Sequence, residues 1–119
     1  MMKIKMFADT ICGWCYIGHS RLLKAAKTFK NIAFDFEHAP FQLNPNMPKE
    51  GMNRLDYLER KFGSKKIAQP MYDNMIKEAA KEGLKFNLDN ILVTPNTKFS
   101  HILIKLAFKK KNGHRVLDT

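Results

Sequence analysis

Two stretches of strand alternation flanking one helical stripe place this chain in the α/β class, as a βαβ unit followed by a helical region. Residues Lys3 to Ala8 alternate, with Ile4, Met6 and Ala8 on one side. From Cys15 the small or apolar residues Cys15, Gly18, Leu22, Ala25, Ala26 and Phe29 keep the helical period, while Arg21, Lys24 and Lys27 fall outside it. Asn31 to Ala39 alternates again, setting Ile32, Phe34, Phe36 and His38 against Ala33, Asp35 and Glu37. Strand, helix and strand in such close succession predict two parallel neighbours joined by a right-handed crossover.

The pattern then changes. Pro40, Pro45, Pro48 and Gly51 make Phe41 to Gly51 a loop. Asn53 can cap a short helix carrying Leu55, Leu58 and Phe62, with Gly63 as its stop. Ser64 can cap a second, with Ile67, Met71, Met75 and Ala79 at i+4 spacing and Gly83 at its end; Pro70 is tolerated in the first turns or at a kink. Leu84 to Val93 reads as an extended connection. Thr94-Pro95-Asn96-Thr97 resembles an N-cap with proline at the first helical position, opening a helix through Phe99, Ile102, Leu103, Leu106 and Ala107 to Gly113. The tail His114 to Thr119 carries no stop signal. Methionines and aromatics in these helices follow helix spacing and are assigned to the core.

Both cysteines and the single tryptophan lie in Asp9-Thr10-Ile11-Cys12-Gly13-Trp14-Cys15-Tyr16-Ile17-Gly18, where the first strand gives way to the helix. Functional residues of a βαβ unit gather at that carboxyl end. Unpaired backbone N–H groups and the positive end of the helix dipole favour negative charge there, so Cys12 is expected to ionise more readily than a free thiol. The two-residue spacing lets Cys15 reach back, closing a disulfide or resolving a mixed disulfide formed by Cys12. Cys-x-x-Cys is also half of a zinc site, but no third cysteine exists and His19, His38, His101 and His114 form no ligand-spaced pair, so no metal is expected. His19, one turn beyond Cys15, either stabilises a thiolate or sits exposed.

At 119 residues with 45% hydrophobic content, the chain has room for one domain and a modest core. The N-terminus lacks the apolar run of a secretory signal and no window approaches a membrane span, so a cytoplasmic protein with no membrane association is expected. In that compartment the pair suits exchange better than a structural disulfide. Twenty-one Lys and Arg residues against 11 Asp and Glu leave a formal charge of +10. The charge is spread along the chain and its longest run, Lys109-Lys110-Lys111, closes a helix. That describes a solvated basic surface rather than a nucleic-acid site, since no reader motif accompanies it.

Asp9 and Cys12, followed by Trp14-Cys15-Tyr16-Ile17-Gly18, then Pro40-Phe41-Gln42-Leu43-Asn44-Pro45, Gly51, Tyr57, Lys61-Phe62-Gly63, Gly83, Pro95-Asn96-Thr97 and His101, give a chain that resembles the N-terminal part of a DsbA-family thiol oxidoreductase of the FrnE type. The resemblance implies a thioredoxin-like βαβ unit in residues 1–42 and a helical insertion in 43–119, with the C-terminal ββα half of the fold absent. It implies thiol–disulfide oxidoreductase activity with Cys12 attacking and Cys15 resolving, Asp9 ordering the turn, and Trp14 and Tyr16 shaping the rim. Phe41, Asn96 and His101 would lie near the cleft between the two parts. No bound cofactor is implied; glutathione is a candidate co-substrate beside protein or small-molecule thiols. A truncated chain would pair with itself or with another polypeptide to complete its sheet.

Gly13 departs from the pattern, which usually places proline between the cysteines ahead of tryptophan. A sister group that resembles the loop and helical region contains 2-hydroxychromene-2-carboxylate isomerase and kappa-class glutathione transferases, which carry serine at the position of Cys12. A glutathione-dependent isomerase or transferase is therefore the alternative enzyme, and an inactive basic interaction module the alternative from another class.

Overall fold

The computed structural model describes residues 1–110. Its organising unit is the expected βαβ. Strand β1 (Met2–Ala8) runs into helix α1 (Gly13–Lys27), which returns to strand β2 (Phe34–Pro40). The two strands pair in parallel from Met2 opposite Phe34 to Ala8 opposite Pro40. Asp35 and Glu37 face solvent while Phe34, Phe36 and His38 are half-buried, as their alternation requires. Both strands thus deliver their last residues to one end, where Asp9 and Cys12 follow β1.

The loop after β2 leads into strand β3 (Met52–Asn53) and helices α2 (Arg54–Phe62) and α3 (Lys65–Lys81). Both caps are made as the sequence indicates: Asn53 Oδ1 accepts from the N–H groups of Leu55 and Asp56, and Ser64 Oγ from that of Ile67. Tyr57 and Leu58 of α2 meet Met47 and Ala68 in one cluster, and Met75 and Ala79 of α3 meet Ile17 of α1 in another; half-buried Tyr72 joins both. Across the α1–α3 seam Arg21 pairs with Glu78 at 2.9 Å and with Glu82 at 3.4 Å, and Lys24 with Glu82 at 2.9 Å. Arg21 and Lys24 are therefore neighbours of carboxylates at the C-terminal end of α3.

Three expectations are corrected. Leu84 to Val93 is not merely extended: it holds a short 3-10 turn (Leu88–Asn90) and ends in strand β4 (Val93–Thr94), which pairs antiparallel with β3. Gly51, at φ +82°, admits this pairing, because a Cβ there would stand 2.7 Å from Thr94 O. The next helix, α4 (Lys98–Lys109), starts later than Thr94. Thr94 is a buried strand residue, and the Asn96 side chain accepts from Lys98 N–H at 2.9 Å. The expected end of this helix at Gly113, and the tail, lie outside the described residues.

The third correction concerns helix rotation. α3 buries Ala68, Met75 and Ala79 but leaves Ile67 and Met71 exposed, and α4 buries His101, Ile104 and Ala107 while Phe99, Ile102, Leu103 and Leu106 remain exposed. Each buried stripe is displaced from the one that residue size suggests. In α4 the buried face includes His101, which meets a carboxylate just after the end of β1.

Candidate active site

The turn from β1 to α1 is built by the motif's own backbone. Cys12 N–H donates to Asp9 O at 3.1 Å, and Cys12 is the N-cap of α1: its Sγ accepts from Cys15 N–H at 3.2 Å and its carbonyl from Tyr16 N–H. A sulfur in that position stands in for the usual capping oxygen and faces the positive end of a 15-residue helix. Both thiols are free and partly buried. Burial pushes the Cys15 thiol up to about 11, its hydrogen bond with Cys12 pushes in the same direction, and a hydrogen bond with the Asp9 backbone opposes them.

Asp9 is 4% exposed and His101 5%. His101 Nε2 donates to Asp9 Oδ1 at 3.0 Å, while Asp9 Oδ2 accepts from Leu43 N–H at 2.8 Å. One carboxylate thereby ties the end of β1, the loop after β2 and helix α4 together. With the proton on His101 Nε2, Nδ1 is the acceptor for His38 Nε2–H at 3.5 Å, and the two rings stack at 5.6 Å. Burial, and then His101 and His19, lower the His38 pKa against the opposing pull of Asp9. A second tie runs alongside. Ser100 Oγ gives its proton to Thr97 O at 2.7 Å, so Thr10 Oγ1 is the donor in the 2.7 Å bond to Ser100.

Two cavities open on Cys12. One, of about 290 Å³, is lined by Cys12, Cys15, Asp9, Tyr16, His19 and His38 among others. The other, of about 530 Å³, lies between α1 and the helical region and reaches from Cys12, Gly13 and Trp14 to Arg54, Tyr72 and Thr94. Cys12 and Tyr16 line both, and Trp14 is 43% exposed at the second.

Gly13 explains its own departure from the motif pattern. It is the first residue of α1, a position that suits proline, yet a Cβ there would overlap Met75 Sδ of α3. We expect Gly13→Pro to destabilise the chain by about 1–3 kcal/mol through this overlap. Urea melts should show most of that loss recovered when Met75→Ala is added, and equal losses in both backgrounds would contradict the packing account.

Of the residues singled out in the sequence, Asp9, Cys12, Gly13, Trp14, Cys15 and Tyr16 share this region, and His101 enters through Asp9. Phe41 and Asn96 do not line either cavity. Phe41 is exposed and joins the end of β1 through its N–H to Ala8 O, and Asn96 is held by its amide, which donates to Met47 O at 2.7 Å. Sequence reasoning missed His38 and Arg54 as site residues. His38 sits on the inward face at the carboxyl end of β2, opposite Met6, so its place in the alternation carried the signal. Arg54 carried none beyond following a cap. His19 is buried beside the cysteines.

A parallel βαβ unit whose crossover helix is capped by the first thiol of a Cys-x-x-Cys defines a thioredoxin-like fold. The chain belongs to the DSBA-like thioredoxin domain family, whose model matches residues 3–119. Its structure is similar to the crystal structure of a probable DsbA oxidoreductase from Streptomyces coelicolor, with a TM-score of 0.88 and 30% sequence identity. The match covers 99% of this chain and 51% of that one, so the chain spans about half the length of its structural relative. A comparison with curated proteins finds no match. Among the described residues no helix is long and apolar enough to cross a membrane.

Proposed function

We propose that this chain carries out thiol–disulfide exchange, with Cys12 as the attacking sulfur and Cys15 as the resolving one. The observation that carries this reading is the Cys15 N–H on Cys12 Sγ at the helix N-terminus, beside cavities that open on the same sulfur. Cys12 thiolate attacks one sulfur of a substrate disulfide. The substrate S–S bond breaks, a Cys12–substrate S–S bond forms, and the departing thiolate takes a proton. Cys15 then gives up its proton and attacks Cys12 Sγ, releasing the second substrate thiol; the substrate is reduced and the protein pair oxidised. Two molecules of glutathione, as co-substrate, return the pair to the dithiol and leave joined as glutathione disulfide. The resemblance to the FrnE type, carried by the motifs from Asp9 to His101, supports this reading, and retention of both thiols ranks it above the glutathione-dependent isomerase.

The test is catalysed reduction of 2-hydroxyethyl disulfide by glutathione. Turnover above the uncatalysed rate and first order in protein is expected; a rate equal to the buffer's would overturn the assignment. Because burial holds the Cys15 thiol above its ordinary range, we expect resolution of the Cys12 mixed disulfide to accelerate as pH rises above neutrality. Rapid-quench mass spectrometry across pH measures it, and a plateau below pH 8 would contradict the Cys15 assignment.

A further inference from the structure

The larger cavity is charged in one sense only. Among its lining residues are two cations, Arg54 and Lys61, and no acid. Arg54 is half-buried, with its guanidinium over the rings of Tyr57 at 5.5 Å and Tyr72 at 5.2 Å. Its one side-chain hydrogen bond among the described residues goes from Nη1 to Thr94 Oγ1 at 3.1 Å. Lys61 stands over Tyr57 at 5.6 Å and donates to its hydroxyl at 3.4 Å. Neither cation pairs with a carboxylate among the described residues, although Asp89 lines the neighbouring cavity that Arg54 also borders. The Arg21 and Lys24 cations on α1, by contrast, each have a glutamate.

A guanidinium presents five N–H donors in a planar fork suited to a carboxylate, and a partly desolvated one without a counter-ion gains most from binding an anion. Two tyrosine rings fix the fork in place, so little ordering remains to be done when an anion arrives. At about 530 Å³ the cavity has the size of a small-molecule site, and Cys12 lies on its wall.

We infer that this cleft selects small disulfides that carry a carboxylate, with Arg54 as the anion-binding residue and Lys61 adding positive charge beside it. The inference rests on the exchange reading above and adds the substrate class. The scissile S–S bond would sit at Cys12 and the carboxylate at Arg54, on the wall of the same cavity.

A charge series of small disulfides tests it: 3,3′-dithiodipropionate (anionic), 2-hydroxyethyl disulfide (neutral) and cystamine (cationic). Each is reacted with the reduced protein, and each rate is divided by that of the same disulfide with 2-mercaptoethanol, to remove intrinsic reactivity. The expected normalised order is anionic, neutral, cationic, with the anionic compound about tenfold ahead of the neutral one. Arg54→Gln should reduce that lead to about twofold, and Arg54→Lys should keep an intermediate lead, because it retains the charge but not the fork. Lys27→Gln removes the same charge from the far end of α1 and should leave the lead unchanged, which separates the cleft from general attraction by a basic protein.

Absence of an anionic preference in the parent overturns the inference without reference to any variant. A preference equal in the parent and both Arg54 variants does so too. If the neutral disulfide forms a Cys12 adduct but no charge order appears, exchange stands and the cleft assignment falls. If no disulfide forms a Cys12 adduct, both fall.

Discussion

Replacing Cys12 with serine should lower the rate of disulfide exchange by at least about a thousandfold, whereas Cys15→Ser should retain the first step and stop there. The asymmetry follows from the local geometry. Cys12 Sγ caps α1 and accepts a backbone N–H, while Cys15 lies inside the first turn with its thiol held up to about 11 by burial. In Cys12→Ser burial still favours the protonated form of the remaining thiol near neutrality. In Cys15→Ser the mixed disulfide on Cys12 has no internal sulfur to resolve it. Intact-mass spectrometry after a pulse of disulfide should show one adduct in that variant and only the dithiol and intramolecular disulfide forms in the parent. Retention of a tenth or more of parental activity in Cys12→Ser would reverse the assigned order of the two cysteines.

The largest stability effect is expected at Asp9. Its carboxylate is buried and satisfies two donors on different elements, His101 Nε2–H of α4 and Leu43 N–H of the loop after β2. Removing the carboxylate leaves both of these donors without an acceptor, at a cost of about 1–3 kcal/mol each. Asp9→Ala is therefore expected to lower the urea midpoint sharply with an unchanged slope. Asp9→Asn should cost less, since its amide offers one oxygen and can accept well from only one of the two donors. His101→Ala should approach the Asp9→Ala loss, and the double variant should fall well short of the sum, because both single changes break one interaction. Losses below 1 kcal/mol at either position, or additivity, would show that α4 is held by something other than this contact.

How far the sequence revealed this arrangement depended on the range of each interaction. The period-2 pattern of Ile4, Met6 and Ala8 and of Phe34, Phe36 and His38 announced the strands, and Asn53 and Ser64 announced their helices, because these signals are satisfied within one element. The two-residue strands β3 and β4 left no pattern at all: too short to show alternation, they exist through pairing across forty residues of chain. Helix rotation was misread where contact between elements outweighed residue size. In α4, Phe99 and Leu103 suggested a face that His101 took, and there His101 supplies one of the two donors to the buried Asp9 carboxylate.

The site divides along the same line. Cys12, Cys15 and Asp9 were legible because they lie in one short stretch, and their mutual hydrogen bonds are local. Arg54 was not, since only the folded chain puts it on the wall of a cavity that Cys12 also lines, with no acid among that cavity's described lining residues. His101 was drawn toward the site by family resemblance, but its role as the tether of α4 emerged from the 3.0 Å contact with Asp9.

The redox midpoint of the Cys12–Cys15 pair is the most direct test of whether the fold sets the chemistry of its thiols. The chain would be equilibrated in graded glutathione buffers, its free thiols alkylated and the products weighed, beside a peptide spanning Thr10 to Gly18. A midpoint displaced from the peptide's by at least about 30 mV, some 1.4 kcal/mol for this two-electron couple, is the result the account predicts. A midpoint that coincides with the peptide's would contradict it.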